Sequence, residues 1–282
     1  MEVSYPWESG VDASNHAAVY DRISETYDED FLGLLTRARG VITKQIAAEL
    51  GDIDLLVDCA IGTAKMVEAI GREVEVRRCI GNDISKQMLE EAKSNLAMPF
   101  TPICGDALEL GKQIDPNCAS LLLCHFLYDY CPPSTMIPRL YECVAPGGYL
   151  SSATSTKACY DDNFWHQIRK HPILQRVFSV EDNVAQSHTP DTPEHHQAML
   201  KEAGFEIVEH RSVNATIVLE NAQSFWNAVY HSGWFVGYLS QFGPATLGAI
   251  RLMAGALGLP GVGFYPFQFD ARLSIALARK SL

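Results

Sequence analysis

Between residues 13 and 50, apolar side chains recur at helical spacing. Tyr20, Ile23, Tyr27, Phe31, Leu34 and Leu35 form one stripe, which Val41, Ile42, Ile46 and Leu50 continue until Gly51. That pattern predicts helices. Beyond Gly51, short apolar runs alternate with amphipathic stretches. Leu55–Cys59, Val76–Asn82, Phe100–Cys104, Ala119–His125 and Tyr149–Ala153 read as five strands. Thr63–Ile70, Ser85 to about Ala97 and residues 137–144 read as intervening helices. Ser85 suits an N-cap, and Met88, Leu89 and Ala92 supply the buried stripe behind it. Pro138 sits awkwardly near the third helix start, which leaves that first turn loosely placed. Thr192–Ala203 reads as a further helix, with Phe205–Arg211 and Arg272–Ala278 as the last two strands.

Strands alternating with helices imply right-handed crossovers and a mainly parallel seven-stranded α/β sheet covered by helices on both faces. Residues 1–282 read as one domain. Residues 154–192 and 221–267 break the rhythm and read as two insertions beside the sheet. The second is unusual: from Asn221 through Ile250 it contains no Asp, Glu, Lys or Arg. A spanning helix needs about 20 continuous apolar residues. Here Ser232, Gly233, Gly237, Gly243 and Pro244 interrupt the run, which disfavours a membrane span. An apolar pocket wall, or a homodimer surface, fits the segment better.

Composition narrows the picture in two respects. A formal net charge of −12, with no basic stripe, argues against a nucleic-acid surface. The eight cysteines form no C-x-x-C pair and sit mostly in apolar runs, as buried free thiols do in a reducing compartment. The first residues lack a basic region followed by an apolar stretch, so no signal peptide is expected. These features point to a cytoplasmic globular protein with no bound metal.

The chemistry concentrates at strand ends. Leu55–Val57 runs into Asp58, and Cys59-Ala60-Ile61-Gly62-Thr63-Ala64 then leads into a helix. Small residues there let the backbone turn tightly and approach a ligand. Free amides at that helix start suit a carboxylate or phosphate. Asp83 ends the second strand, 25 residues after Asp58, where a carboxylate can accept both hydroxyls of a ribose. Asp106 follows the third strand and is placed to take an adenine amino group.

With these positions in view, the sequence resembles the class I S-adenosylmethionine (SAM)-dependent methyltransferases of the small-molecule type, which share a Rossmann-like fold. Their D-x-G-x-G-x-G motif is similar to D-C-A-I-G-T-A here, with Ala60 and Ala64 in place of the outer glycines. GNDIS, GDALEL and the Pro146-Gly147-Gly148 turn match the later motifs over roughly residues 20–215. The resemblance implies that SAM is the cofactor. Gly62 and its neighbours would contact its methionine part and Asp83 its ribose, with Asp58, Ala60 and Cys124 also at the cofactor site. Ile84 and Met88 would lie on the adenine face, and Asp106 and Ala107 at the adenine edge. Tyr20 and Tyr27 resemble tyrosines of an N-terminal helical cap that closes over the cofactor; core packing is their alternative role. The two insertions would then form a substrate cap on the acceptor side.

Methyl transfer is an in-line displacement, so the protein mainly positions the acceptor and excludes water. His125, at the end of the fourth strand, is the candidate base or orienting group; a histidine that only packs beside the cofactor is the alternative. Tyr128, Tyr230, His231 and Trp234 are candidate acceptor contacts, with lid or core packing as the competing role. His188, His195 and His196 read as a solvated turn and helix start. The function expected is methylation of a small, apolar or aromatic metabolite at oxygen, nitrogen or carbon. A non-catalytic SAM-binding scaffold and a macromolecule-directed methyltransferase are the alternatives.

Overall fold

The computed structural model describes residues 13–156, 188–233 and 264–282, together with Lys170 and residues 248–249. Trp234, Cys159 and most of both insertions lie outside the described residues.

Three parts make the N-terminal cap: helix α1 (Ala13–Ile23), a 3-10 turn (Ser24–Glu29) and helix α2 (Leu34–Glu49). Asp30 breaks the helical run. It adopts a left-handed φ of 44°, and its carboxylate accepts the Leu35 and Thr36 amides that open α2. The α/β units follow as β1 (Leu56–Asp58), α3 (Lys65–Gly71), β2 (Cys79–Asp83), α4 (Lys86–Asn95) and β3 (Phe100–Cys104). After a 3-10 turn (Ala107–Lys112) come β4 (Ala119–His125), α5 (Pro133–Cys143) and β5 (Val144–Ser155). The chain closes with α6 (Pro193–Glu202), β6 (Phe205–Leu219), α7 (Ala222–His231) and β7 (Phe267–Lys280).

The sheet order is β3-β2-β1-β4-β5-β7-β6, parallel from β3 to β5, with β7 antiparallel to both neighbours. The chain builds outward from β1 to β3 and then returns to β4. The crevice at the carboxyl ends of β1 and β4 is therefore the topological switch point, where open α/β sheets bind ligands.

Alternation along the strands divides the core into two layers. Leu56, Leu121 and Leu123 face α2 and α3, while Val57, Leu122 and Cys124 face α5 and α6. Burying each such aliphatic side chain is worth about 1.5–3 kcal/mol.

Besides β5 and β7, which begin five residues early at Val144 and Phe267, three features depart from expectation. Helix α5 starts four residues early, at Pro133, because a proline in the first turn gives up an amide that has no helical acceptor anyway. Pro138 lies inside the helix. Strand β6 runs eight residues past Arg211, paired with β7 from Phe205↔Lys280 to Leu219↔Phe267. Its alternating Ser212, Asn214 and Thr216 mark an outer face rather than a strand end. Third, His196 is not solvated: it is fully buried and joined to Ser152 Oγ and Ser274 Oγ at 2.9 Å each. Tyr128 extends this chain through Ser152, and His210 extends it through Ser274, again at 2.9 Å each. The network locks α6 and the segment after β4 onto the sheet.

Candidate cofactor site

A cavity of about 660 Å³ opens at the switch point. Its floor is the turn after β1. The Asp58 carboxylate accepts the Ala60 amide at 3.1 Å, and the Ile61 amide donates to the Asn82 carbonyl at 2.9 Å, which ties this turn to β2. Gly62 takes a left-handed φ of 53°, and a Cβ there would stand 3.9 Å from the Tyr27 ring. Ala64 follows at φ 63°. A left-handed alanine costs about 1–2 kcal/mol, which explains why glycine is the usual residue at such a position.

Asp83 is the hub of the wall. Its two oxygens accept the Gly62 amide at 2.8 Å and the Ser85 amide at 2.9 Å, and the Ile84 amide also holds the carboxylate. Ser85 N-caps α4 through the Met88 amide at 3.1 Å and donates to Asp21 on α1 at 2.5 Å. Burial pushes the Asp83 carboxyl up to about 6 and the Asp58 carboxyl up to about 7, against the pull of their amide donors. Buried carboxylates held this high gain from any ligand that brings further donors or positive charge. Asp106 caps the next turn by accepting the Leu108 amide at 2.8 Å, and its other oxygen makes no described contact.

The cap closes from above. Tyr20 donates to the Tyr130 hydroxyl at 3.1 Å, and Thr63 donates to Asp28 at 2.7 Å. Tyr20 and Tyr27 pack edge to face at 6.3 Å between ring centroids. A Cβ at Gly233 would lie 3.1 Å from the Tyr27 ring, so the start of the second insertion rests directly on these tyrosines. His125 closes the β4 side. Its Nε2 lies 3.0 Å from Ser151 Oγ, and burial pushes its pKa down to about 3.

Tyr20, Tyr27, Asp58, Ala60, Gly62, Asp83, Ile84, Met88, Asp106, Ala107 and His125 all line this one cavity. Four expected contacts do not. Cys124 points to the opposite face of β4 from His125, into the α5 layer. Tyr128 is buried against Ser152 and His196. Tyr230 stacks on Trp226 at 5.5 Å within the core. His231 meets Thr26 Oγ1 at 3.0 Å, joining α7 to the cap. Trp234, the remaining expected acceptor contact, is outside the described residues.

The residues fit a nucleoside bearing a polar tail. Carboxylates from three successive strand ends line one cavity, and apolar Ile84 and Met88 line it with them. The family described as "Methyltransferase domain" matches residues 56–148, from β1 into β5. Over that stretch the chain is similar to methyltransferase domains. A malonyl-[acyl-carrier protein] O-methyltransferase from Alcanivorax borkumensis is 24% identical over 184 residues, covering 63% of this chain and 62% of the relative. A carboxy-S-adenosyl-L-methionine synthase from Shewanella amazonensis is 28% identical, covering 52% and 65% respectively. The chain thus spans less than two thirds of the length of these curated relatives. The crystal structure of a candidate methyltransferase from Bacillus halodurans superposes with a TM-score of 0.53 at 15% identity, covering 86% of this chain and 98% of that one. That likeness speaks for the fold.

The cavity and its walls also use residues that sequence reasoning missed. Asn82 donates to the Ile103 and Gly105 carbonyls at 3.1 Å each, so its amide holds β2 to the end of β3, while its buried Oδ1 has no partner among the described residues. Phe126, directly after β4, adopts a left-handed φ of 56° and lines the cavity. His16, Asp28 and Arg39 come from the cap. Nothing in their spacing marks them, because the cap meets the cavity only through tertiary packing.

Proposed function

We propose that this protein transfers the methyl group of SAM to a small, apolar or aromatic metabolite. The observation that carries the reading is the convergence of Asp58, Asp83 and Asp106 on one cavity beneath Tyr20 and Tyr27. Bound SAM would supply an electrophilic methyl group on its sulfonium. Asp83 would accept from the ribose hydroxyls. Asp106 and the Ala107 amide would read the adenine edge, with Ile84 and Met88 against its face. The Asp58–Gly62 turn would follow the methionine part, and the cap would exclude water.

On this reading His125, on the β4 side of the cavity, would face the acceptor. A histidine pushed down to about 3 stays neutral at physiological pH. One ring nitrogen is engaged by Ser151, so its role is to orient the acceptor through the other. An acceptor that is nucleophilic without a strong base, such as a carboxylate or a neutral amine, suits this arrangement. The Alcanivorax relative is named for O-methylation of a malonyl group on a carrier protein, so carboxylic acids and their thioesters belong in the acceptor range to be screened.

The test is a metabolite screen with methyl-labelled SAM, read by mass shift of the product. Label transferred to a small molecule supports the reading. Turnover of SAM without methyl transfer would favour a second reading, other SAM chemistry at the same cavity. The name of the Shewanella relative, a synthase that makes carboxy-SAM, gives that reading its motive.

A further inference from the structure

The hydrogen bond between Ser151 and His125 has one arrangement that satisfies both partners. Ser151 lies on β5, 1% exposed, in register with Leu123 of β4 and Leu277 of β7, both fully buried. These flanking side chains offer its hydroxyl no acceptor. Among the described residues the hydroxyl has one hydrogen-bond partner, His125 Nε2 at 3.0 Å. A ring protonated on Nε2 would donate to Ser151 Oγ and leave the serine proton buried without an acceptor, an arrangement that folded proteins avoid. With the serine donating to a bare Nε2, the ring proton sits on Nδ1 and neither donor is wasted.

Nδ1 makes no hydrogen bond among the described residues, and it is not sealed from the cavity that the ring lines. The mount is rigid. The Phe126 amide donates to the Ala153 carbonyl at 2.7 Å, and Phe126 then turns left-handed, so His125 is the last residue of β4. Burial pushes the ring down to about 3, which leaves it a single proton at physiological pH. A neutral ring with its Nδ1–H towards the cavity is a donor, with no lone pair there to take a proton from a ligand. In a neutral amine, that donor would engage the lone pair that must attack the methyl group. A carboxylate has two oxygens, so one can accept the Nδ1–H while the other attacks. The attacking oxygen's electron pair forms the O–CH3 bond, the S–CH3 pair returns to sulfur, and no proton remains to be removed.

We propose that Ser151 is a positioning residue that fixes His125 as an Nδ1–H donor, and that this donor selects a carboxylate as the methyl acceptor. The inference rests on the cavity being the SAM site.

Long-range proton–nitrogen correlation spectra of the histidine-labelled full chain at pH 7.5 test the first half without any acceptor. Wild type should show His125 protonated on Nδ1 and bare on Nε2. Ser151→Ala should lose this single tautomer, and Ser151→Thr, which keeps the hydroxyl, should retain it. A wild-type ring protonated on Nε2 overturns the proposal, as does a Ser151→Ala ring indistinguishable from wild type. A second measurement, with S-adenosylhomocysteine saturating, titrates phenylacetate against phenethylamine, two aromatic probes that differ in their polar group. Wild type should bind phenylacetate roughly tenfold more tightly, the worth of a hydrogen bond to a charged group, and Ser151→Ala should lose most of that preference. Equal affinities, a preference for the amine, or no binding of either probe overturns the carboxylate assignment. A wild type that does not bind S-adenosylhomocysteine would instead bring down the SAM reading itself, whatever the tautomer.

Discussion

Lowering the pH from 7 to 5 is expected to weaken cofactor binding about tenfold through Asp83. Burial raises this carboxyl to about 6 in the free protein. A ribose that donates two hydrogen bonds favours the ionised form and brings the bound value back to roughly 4. Binding therefore expels a proton wherever the free carboxyl is still protonated. The sign follows: affinity is complete above pH 7 and is lost as pH falls through 6. For values of 6 and 4, the ratio of protonation factors at pH 5 comes to about 10, or ~1.4 kcal/mol. Asp58, up to about 7, faces the same cavity and adds its own dependence, so the difference between wild type and Asp83→Asn is the decisive quantity. Asp83→Asn should bind S-adenosylhomocysteine more weakly at pH 7 by about 1.5–3 kcal/mol, the worth of a hydrogen bond to a charged group. It should also show a shallower slope between pH 5 and 7. Calorimetry at pH 6 in two buffers of different ionisation enthalpy counts the released protons. An Asp83→Asn slope equal to that of wild type would refute the reasoning.

Other consequences follow from single residues. His125→Gln, which can keep the Ser151 contact, should leave the pH profile of turnover between 5 and 8 unshifted, because His125 is neutral throughout. Loss of an apparent pKa near 6.5 in that variant would mean that His125 acts as a base. His196 is held down to about 3 when folded, so its stabilising contribution is present above pH 6.5 and lost as pH falls towards 3. Urea unfolding should thus show His196→Gln less harmful at pH 4.5 than at pH 7.5, by about 3 kcal/mol; an equal penalty at both pH values would refute this. Gly62→Ala should lower stability by about 1–2 kcal/mol, read by thermal melting, because its φ of 53° is left-handed. An unchanged melt would show that this turn is not held as described.

The cofactor half of the site was legible because strand ends carry their own signals. An apolar run, a terminal aspartate and a turn of small residues place Asp58, Asp83 and Asp106 without tertiary knowledge, and the bounds of β3 and β4 matched residue for residue. Parity along β4 separates Cys124 from His125, yet both had been expected near the cofactor. Two-residue alternation fixes opposite faces but not which of them meets the ligand. His196 looked like a polar helix start because its partners, Ser152 and Ser274, lie on distant strands. Arg39 was invisible for the related reason that an amphipathic helix shows its core stripe but not what its flank overlooks. Tyr230 and His231 look like pocket residues by composition, but α7 turns them into the core and towards the cap.

The most direct measurement is an equilibrium titration of the full chain with S-adenosylhomocysteine at pH 7.5. The account expects saturable binding of one ligand per chain in the cavity bounded by Asp58, Asp83 and Asp106, weakened by Asp83→Asn. Absence of binding by a folded wild-type protein, or binding untouched by that substitution, would contradict it.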